Sequence, residues 1–233
     1  MENNNNQIFY YDKRPKNTLL LYCLFFFIVP SFLAIGLMLF TKDELFINST
    51  VNLLVYILAF IIFIVYLKDY LLDDIDSAKE NKINILSSMF IGYFILMFAN
   101  TFSNSIMEML KPIFNLEDSS LNQQAIEELI NGGYFFPMLI TSCICAPVVE
   151  ELVFRKAIFK ITKTPALGII VSGLAFGLIH VINGGDYIQS IPYIISGVAF
   201  GTIYVINKNN IWSCILVHAL SNTISLVAIL FLF

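Results

Sequence analysis

Seven apolar runs dominate the sequence, and each is long enough, or nearly so, to cross a lipid bilayer as a helix. They lie at about residues 17–41, 49–68, 83–101, 134–155, 166–182, 187–206 and 211–233. Of the 233 residues, 58% are hydrophobic and only 13% are charged, whereas soluble domains usually carry about 25% charged residues. The sequence therefore predicts an all-α fold, a polytopic membrane bundle of about seven transmembrane helices embedded in the lipid bilayer.

The chain divides into three predicted parts. Residues 1–16 form a polar cytoplasmic tail, and residues 17–133 hold N-terminal transmembrane helices. That second part ends in segment 102–133, where apolar residues recur at helical spacing among polar ones, which predicts short amphipathic helices on the external membrane face. Residues 134–233 form a core that carries the unusual polar residues described below.

The distribution of basic residues predicts the orientation. With the N-terminus in the cytoplasm, only Lys42 and Lys111 of the 13 Lys and Arg residues fall outside, as the positive-inside rule requires. No basic cluster or aromatic platform is present, so nucleic acid is excluded as a partner. Nothing in the pattern indicates an oligomeric state.

The four cysteines lie in apolar surroundings, which predicts small buried residues. They are Cys23, Cys143, Cys145 and Cys214. A redox or zinc pair at Cys143 and Cys145 is the weaker alternative, because Cys-x-Cys alone lacks the usual ligand spacing.

Two short sequences in the core are nearly repeated. SGLAFGLIH and SGVAFGTIY contain Gly-x-x-x-Gly at Gly173/Gly177 and Gly197/Gly201. Small residues at this spacing let two helices approach closely in lipid, so we expect these two helices to pack tightly. Convergent packing explains the repeat more simply than a duplication.

Ionisable residues inside the apolar runs are few, and such residues usually serve a function because lipid penalises them. The polar candidates are Glu150, Glu151, Arg155, His180, His218 and Asn222. Glu151 and Arg155 are four residues apart and can form an ion pair on one helix face, which leaves Glu150 free to act.

The spacing of these residues predicts a shared site. Glu150 lies fifteen residues before Pro165 and His180 fifteen after it, so on antiparallel helices both lie at the same depth. His218 reaches that depth if the charged stretch 155–163 projects into the cytoplasm, which predicts a site nearer the cytoplasmic face. A carboxylate beside imidazoles can activate water, and these groups can also ligate Zn²⁺. An amide and a second imidazole can stabilise an oxyanion, so the set favours hydrolysis of an acyl bond.

These residues resemble the motifs of the CAAX-protease and bacteriocin-processing (CPBP, or Abi) family of intramembrane endopeptidases. Its motifs EExxxR, FxxxH and HxxxN correspond here to Glu150–Arg155, Phe176–His180 and His218–Asn222, in order and on separate predicted helices. The resemblance implies a catalytic core at 134–233 that encloses an intramembrane cavity open toward the cytoplasm.

The resemblance also implies residue roles. Glu150 is the general base, His180 orients the water, and His218 with Asn222 stabilises the oxyanion. Glu151 and Arg155 support this catalytic site, and Phe176 forms a pocket wall. Two options for cofactors follow: Zn²⁺ or another divalent metal held by Glu150, His180 and His218, or no metal.

The substrate expected from the resemblance is a peptide precursor or a membrane-anchored protein segment, and the composition is typical of a bacterial member. Prenylated proteins are therefore not expected as substrates of such a member. The alternative is a non-catalytic immunity or scaffold protein of the same fold. A proton relay or transporter is disfavoured, because the polar residues lie at one depth and in one half of the chain.

Overall fold

A computed structural model describes residues 12–232, in which all regular secondary structure is helical. Nine helices are described: α1 Arg14–Met38, α2 Glu44–Tyr66, α3 Lys68–Glu80, α4 Ile85–Phe114, α5 Leu121–Asn131, α6 Phe135–Thr162, α7 Pro165–Ile179, α8 Ser190–Ile206 and α9 Ile211–Leu232. Most of the predicted polar tail, residues 1–11, and Phe233 lie outside the described residues.

The predicted all-α membrane bundle is confirmed. Six of the described helices are long and apolar enough to span a membrane: α1, α2, α4, α6, α9, and α8 taken together with the 3₁₀ turn Tyr187–Gln189 that precedes it. The seventh predicted run forms α7, which has 15 residues. At about 1.5 Å per residue it is roughly 22 Å long, shorter than the hydrocarbon core of about 30 Å. The count of seven therefore holds only if this shorter apolar helix is included.

The helix boundaries differ from the prediction in two of the segments that connect the apolar runs. Residues 102–114 were predicted as surface-lying helices, but they continue α4 until Asn115, whose left-handed backbone (φ 51°) ends the helix. Only Leu121–Asn131 forms a separate amphipathic helix, α5. The segment between the second and third predicted runs is also helical, as α3, because polar and apolar residues alternate there with helical period.

Side-chain caps fix the start of three helices. Asp43 accepts a hydrogen bond from the Phe46 backbone N–H (2.9 Å), and Asn84 accepts one from Ser87 (3.0 Å). Ser120 caps α5 by accepting from the Gln123 N–H at 3.2 Å. Each cap satisfies a backbone donor that the first helical turn leaves without a partner.

Helix α6 is the central helix of the bundle. In its most apolar stretch 61% of the residues are buried, compared with 11% in α1 and α4. The lipid-facing position of α1 explains the one wrong cysteine prediction, because Cys23 is exposed there. The other three cysteines are buried, as predicted, and all four are free thiols.

Helices α7 and α8 are in close contact, as the two Gly-x-x-x-Gly sequences predict. A Cβ atom at Gly177 would lie 2.2 Å from Ile194 Cγ1 and 2.7 Å from the Ile194 backbone nitrogen. A Cβ atom at Gly197 would lie 2.9 Å from the Gly173 Cα. Glycine is required at these positions because the two backbones leave no room for a side chain.

The bundle has two distinct ends. At the first end, called the basic end, the start of α1 meets α3 through an Arg14–Asp69 ion pair (3.2 Å), and Lys208 in the α8–α9 turn donates to Asn81 (3.2 Å). At the opposite end, called the α5 end, α5 contacts the 180–189 connection. There the Leu121 N–H donates to Asp186 at 3.0 Å.

A buried cluster closes the basic end. The Asp74 carboxylate of α3 pairs with Lys156 of α6 at 2.5 Å and accepts the Ile211 backbone N–H of α9 at 2.7 Å. The Asn210 amide donates to the Asp74 carbonyl oxygen at 2.6 Å. Asp74 therefore holds three helices together at one point.

Candidate active site

The site is centred on α6, in a stretch where the helix is irregular. A π-helical segment at Leu139–Cys145 precedes Glu150 and Glu151, and a second at Leu152–Ala157 contains Arg155. π-Helical turns widen a helix locally and occur often at functional sites. Here they flank the two adjacent carboxylates.

Glu151 and Arg155 form the ion pair that their spacing predicts. Arg155 Nε lies 3.0 Å from Glu151 Oε2, and both side chains are completely buried. The guanidinium carbon also lies 5.0 Å from the Phe176 ring centre and 5.1 Å from that of Phe200, distances typical of cation–π contacts. The charge of Arg155 is thus compensated by one carboxylate and two aromatic faces, which makes its burial tolerable.

Glu151 also orients His218 of α9. Its Oε1 atom lies 2.9 Å from His218 Nδ1. Because a carboxylate only accepts hydrogen bonds, the Nδ1 atom carries the proton in this contact. The other ring nitrogen, Nε2, is directed toward Glu150 and lies 3.9 Å from its Oε2. A carboxylate that fixes a histidine tautomer in this way leaves Nε2 available for chemistry.

Glu150 is the acidic residue that reaches the cavity. It is only 4% exposed, and its Oε1 accepts a hydrogen bond from the Tyr56 hydroxyl of α2 at 3.0 Å. Its Oε2 has no hydrogen-bond partner among the described residues. A buried carboxylate oxygen without a partner is costly, so this atom is positioned to accept a proton or a hydrogen bond from a molecule in the cavity.

His180 lies at the C-terminal end of α7, in the same cavity. Its Nδ1 is 2.6 Å from the Phe176 carbonyl oxygen, so Nδ1 carries the proton. The ring stacks on Tyr193 with centres 4.5 Å apart and planes 12° apart. As in His218, the contacts fix the tautomer and leave Nε2 without a hydrogen bond from a described residue.

Phe176 contacts both histidines and forms part of the cavity wall. Its ring centre is 4.7 Å from that of His180 and 5.8 Å from that of His218. Asn222, the last predicted site residue, borders the cavity and donates from Nδ2 to the Ser142 carbonyl oxygen at 2.7 Å. One amide N–H remains for a further hydrogen bond.

The cavity has a volume of about 340 Å³ and is bordered by five of the seven predicted site residues. They are Glu150, Phe176, His180, His218 and Asn222, while Glu151 and Arg155 lie behind them. Further along, Asn122 and Gln123 of α5 form part of its lining. The cavity therefore runs from Glu150 toward the α5 end, opposite the start of α1. The sequence analysis placed both the cavity opening and the start of α1 on the cytoplasmic side, whereas the structure places them at opposite ends of the bundle.

The lining includes residues that the sequence analysis did not identify. Tyr56, Asn52 and Asn100 come from α2 and α4, and Tyr193 and Ser196 come from α8. Asn52 and Asn100 are polar residues inside apolar runs, and that signal could have marked them. Tyr56 carried no such signal, because tyrosine is common in membrane helices near the interface.

The sequence analysis named three residues that could together bind a metal ion. Glu150, His180 and His218 border one cavity, and both imidazoles expose Nε2. However, no three His, Cys, Asp or Glu side chains within residues 12–232 are grouped so that they could hold a metal ion. The residues as arranged do not fit a bound divalent ion, and no step proposed below passes through one.

Comparison with known proteins supports the resemblance. Residues 131–224, which contain all three motifs, match the family model described as type II CAAX prenyl endopeptidase Rce1-like. An uncharacterized protein of Mycoplasma capricolum subsp. capricolum is 34% identical over 160 residues, which is 65% of this chain and 46% of that protein. No solved structure is significantly similar to this chain.

Two shorter matches are to proteins of other bacteria. YdiL of Bacillus subtilis, whose name proposes a membrane peptidase, is 34% identical over 93 residues, 38% of this chain and 36% of that protein. The UPF0177 protein YaiH of Lactococcus lactis is 28% identical over 101 residues, 43% of this chain and 39% of that protein. The matched segments span less than half of each relative. The family model therefore agrees with the resemblance over the part of the chain that carries the three motifs.

Proposed function

We propose, from the match of residues 131–224 to the Rce1-like family, that this protein is an intramembrane endopeptidase that uses Glu150 to activate water. One observation carries the proposal. The Oε2 atom of Glu150 has no hydrogen-bond partner among the described residues, although it borders a 340 Å³ cavity 3.9 Å from His218 Nε2. A water molecule between these groups would be deprotonated by the carboxylate, as general base catalysis requires.

In the proposed reaction a water oxygen attacks the peptide carbonyl carbon while its proton passes to Glu150. The resulting tetrahedral oxyanion accepts hydrogen bonds from the second Asn222 amide N–H and from Nε2 of His218. In this scheme His218 enters the reaction with a proton from solvent on Nε2, in addition to the one on Nδ1. Glu150 then returns the proton to the peptide nitrogen, the oxyanion re-forms a carbonyl as the C–N bond breaks, and a carboxylic acid and an amine leave. The acid loses its remaining proton to solvent. His180, held by Phe176 and Tyr193, accepts a hydrogen bond from the attacking water through Nε2.

Glu151 and Arg155 have a supporting role in this scheme. Glu151 stabilises the charge on His218 when both its ring nitrogens carry protons, since Nδ1 already lies 2.9 Å from the carboxylate. Arg155 holds the Glu151 carboxylate in position through the 3.0 Å ion pair. Neither side chain needs to touch the substrate.

The substrate is proposed to be a peptide precursor or a segment of a membrane-anchored protein. Amide and hydroxyl side chains line much of the cavity, including Asn52, Asn100, Asn122 and Ser196. Such groups hydrogen-bond to a peptide backbone, whereas a purely apolar groove would suit a lipid chain.

The test compares cells that express the wild type, Glu150→Gln or Glu80→Gln at matched levels. Glu80 is an exposed residue at the basic end and serves as the control. Mass spectrometry of membranes and medium should detect a cleaved peptide with the wild type and with Glu80→Gln but not with Glu150→Gln. Identical peptide profiles, with the host phenotype preserved by all three proteins, would instead establish the immunity or scaffold alternative.

A further inference from the structure

We propose that the active-site cavity opens on the extracytoplasmic side of the membrane and receives its substrate from that side. The first observation is the distribution of charge between the two ends of the bundle. Basic residues near the basic end are Lys13, Arg14, Lys16, Lys68, Lys79, Lys82, Lys156, Lys160, Lys163 and Lys208. At the α5 end there are only Lys42 and Lys111. Short loops rich in Lys and Arg remain in the cytoplasm, so the basic end is cytoplasmic.

The second observation is the direction of the cavity. Glu150 lies twelve residues before the end of α6 at the basic end and fifteen after its start, so it is near the middle of the bundle. The lining that includes Glu150 also includes Asn100 of α4, Tyr193 of α8 and Gln123 of α5. Gln123 belongs to a helix that lies outside the spanning segments, at the α5 end. The lining thus connects Glu150 to the end that carries few basic residues.

The third observation is that the other direction is closed. Between Glu150 and the basic end, α6, α8 and α9 contribute a layer of side chains with almost no exposed surface: Leu152, Val153, Ile203, Ile211, Cys214 and Val217. Arg155 fills the same layer and is 0% exposed. Beyond it the Asp74–Lys156 pair joins three helices. A polypeptide could not reach Glu150 through this close-packed layer unless the helices that form it separated.

The consequence for the substrate rests on the proposed peptidase function. A cavity that opens outward would take polypeptide segments that have already crossed the membrane, such as exported peptides or external segments of membrane-anchored proteins. Proteins that remain in the cytoplasm would not reach Glu150. The proposal thus differs from the sequence-based expectation of cleavage near the cytoplasmic face.

A matched pair of cysteine variants tests the orientation without any need for activity. Glu128 on α5 and Glu80 on α3 are both exposed acidic residues near the end of a short helix, one at each end of the bundle. Glu128→Cys and Glu80→Cys are expressed in a bacterial host that lacks an outer membrane, and intact cells are treated with a membrane-impermeant maleimide. The wild type, with its four native cysteines, measures the background.

The proposal predicts that Glu128→Cys is labelled in intact cells as fully as in lysed cells, whereas Glu80→Cys is labelled only after lysis. The reverse pattern would overturn it. A second measurement adds the peptide identified above to sealed vesicles that contain the wild type. Right-side-out vesicles should cleave it, and inside-out vesicles should cleave it only after permeabilisation. If permeabilised vesicles also fail to cleave, the peptidase function is refuted, while the labelling still decides the orientation.

Discussion

Replacing Gly177 by alanine should destabilise the bundle and impair the site together. The new methyl group would lie 2.2 Å from Ile194 Cγ1, which a rotation of that side chain can relieve. It would also lie 2.7 Å from the Ile194 backbone nitrogen and 2.9 Å from its Cα, and these contacts are relieved only if α7 moves away from α8. Overpacking of this kind costs about 1–3 kcal/mol.

The measurement is thermal unfolding of the purified protein in one detergent. For a chain of this size a loss of about 2 kcal/mol lowers Tm by roughly 4–8 °C. Gly36→Ala is the control, because a Cβ atom at Gly36 would meet nothing within 4 Å. Since alanine favours a helix over glycine by about 1 kcal/mol, this control should be as stable as the wild type or more stable.

The same substitution should lower the proposed activity, because α7 carries Phe176 and His180. A displacement of about 1 Å at a catalytic group can cost on the order of 100-fold in rate. If the wild type, Gly177→Ala and Gly36→Ala all unfold at the same temperature, the close approach of α7 and α8 does not stabilise the bundle. The packing argument would then be refuted.

Two further substitutions test contacts made by the N-terminal half of the chain. Tyr56→Phe removes the hydroxyl that donates to Glu150 at 3.0 Å. A hydrogen bond to a charged group contributes about 1.5–3 kcal/mol, so kcat on the identified peptide should fall roughly 10-fold or more while KM stays unchanged, and a change in KM alone would contradict this role. Asp74→Asn leaves the Lys156 ammonium buried without its carboxylate. It should destabilise the protein by about 3–5 kcal/mol in the same unfolding assay, whereas Asp76→Asn, at an exposed ion pair, should cost less than about 1 kcal/mol.

The membrane bundle could be predicted from the sequence because an apolar run of spanning length has few alternatives to a helix in lipid. All seven runs correspond to apolar helices in the structure. The ends of those helices were less predictable. Segment 102–114 is polar enough to suggest a surface location, yet α4 continues through it, including Pro112 in its last turn, and ends only at Asn115.

Part of the site could also be predicted from the sequence. Charged and imidazole side chains are rare in apolar runs, so Glu150, His180 and His218 were conspicuous, and the structure brings them to one cavity. The contribution of α2 was not predictable, because the Tyr56–Glu150 contact joins residues 94 positions apart in the chain. The direction of the cavity also depends on tertiary packing, which residue spacing on two helices does not specify.

The most direct test of the central claim uses purified protein in lipid nanodiscs and the peptide identified from cells. The cleavage rate is measured for the wild type, Glu150→Gln and Glu80→Gln. Because general base catalysis contributes about 10²–10⁴-fold, Glu150→Gln should lose at least about 100-fold in kcat. Glu80→Gln should match the wild type. Cleavage by Glu150→Gln at a rate close to that of the wild type would contradict the assignment of Glu150 as the residue that activates water.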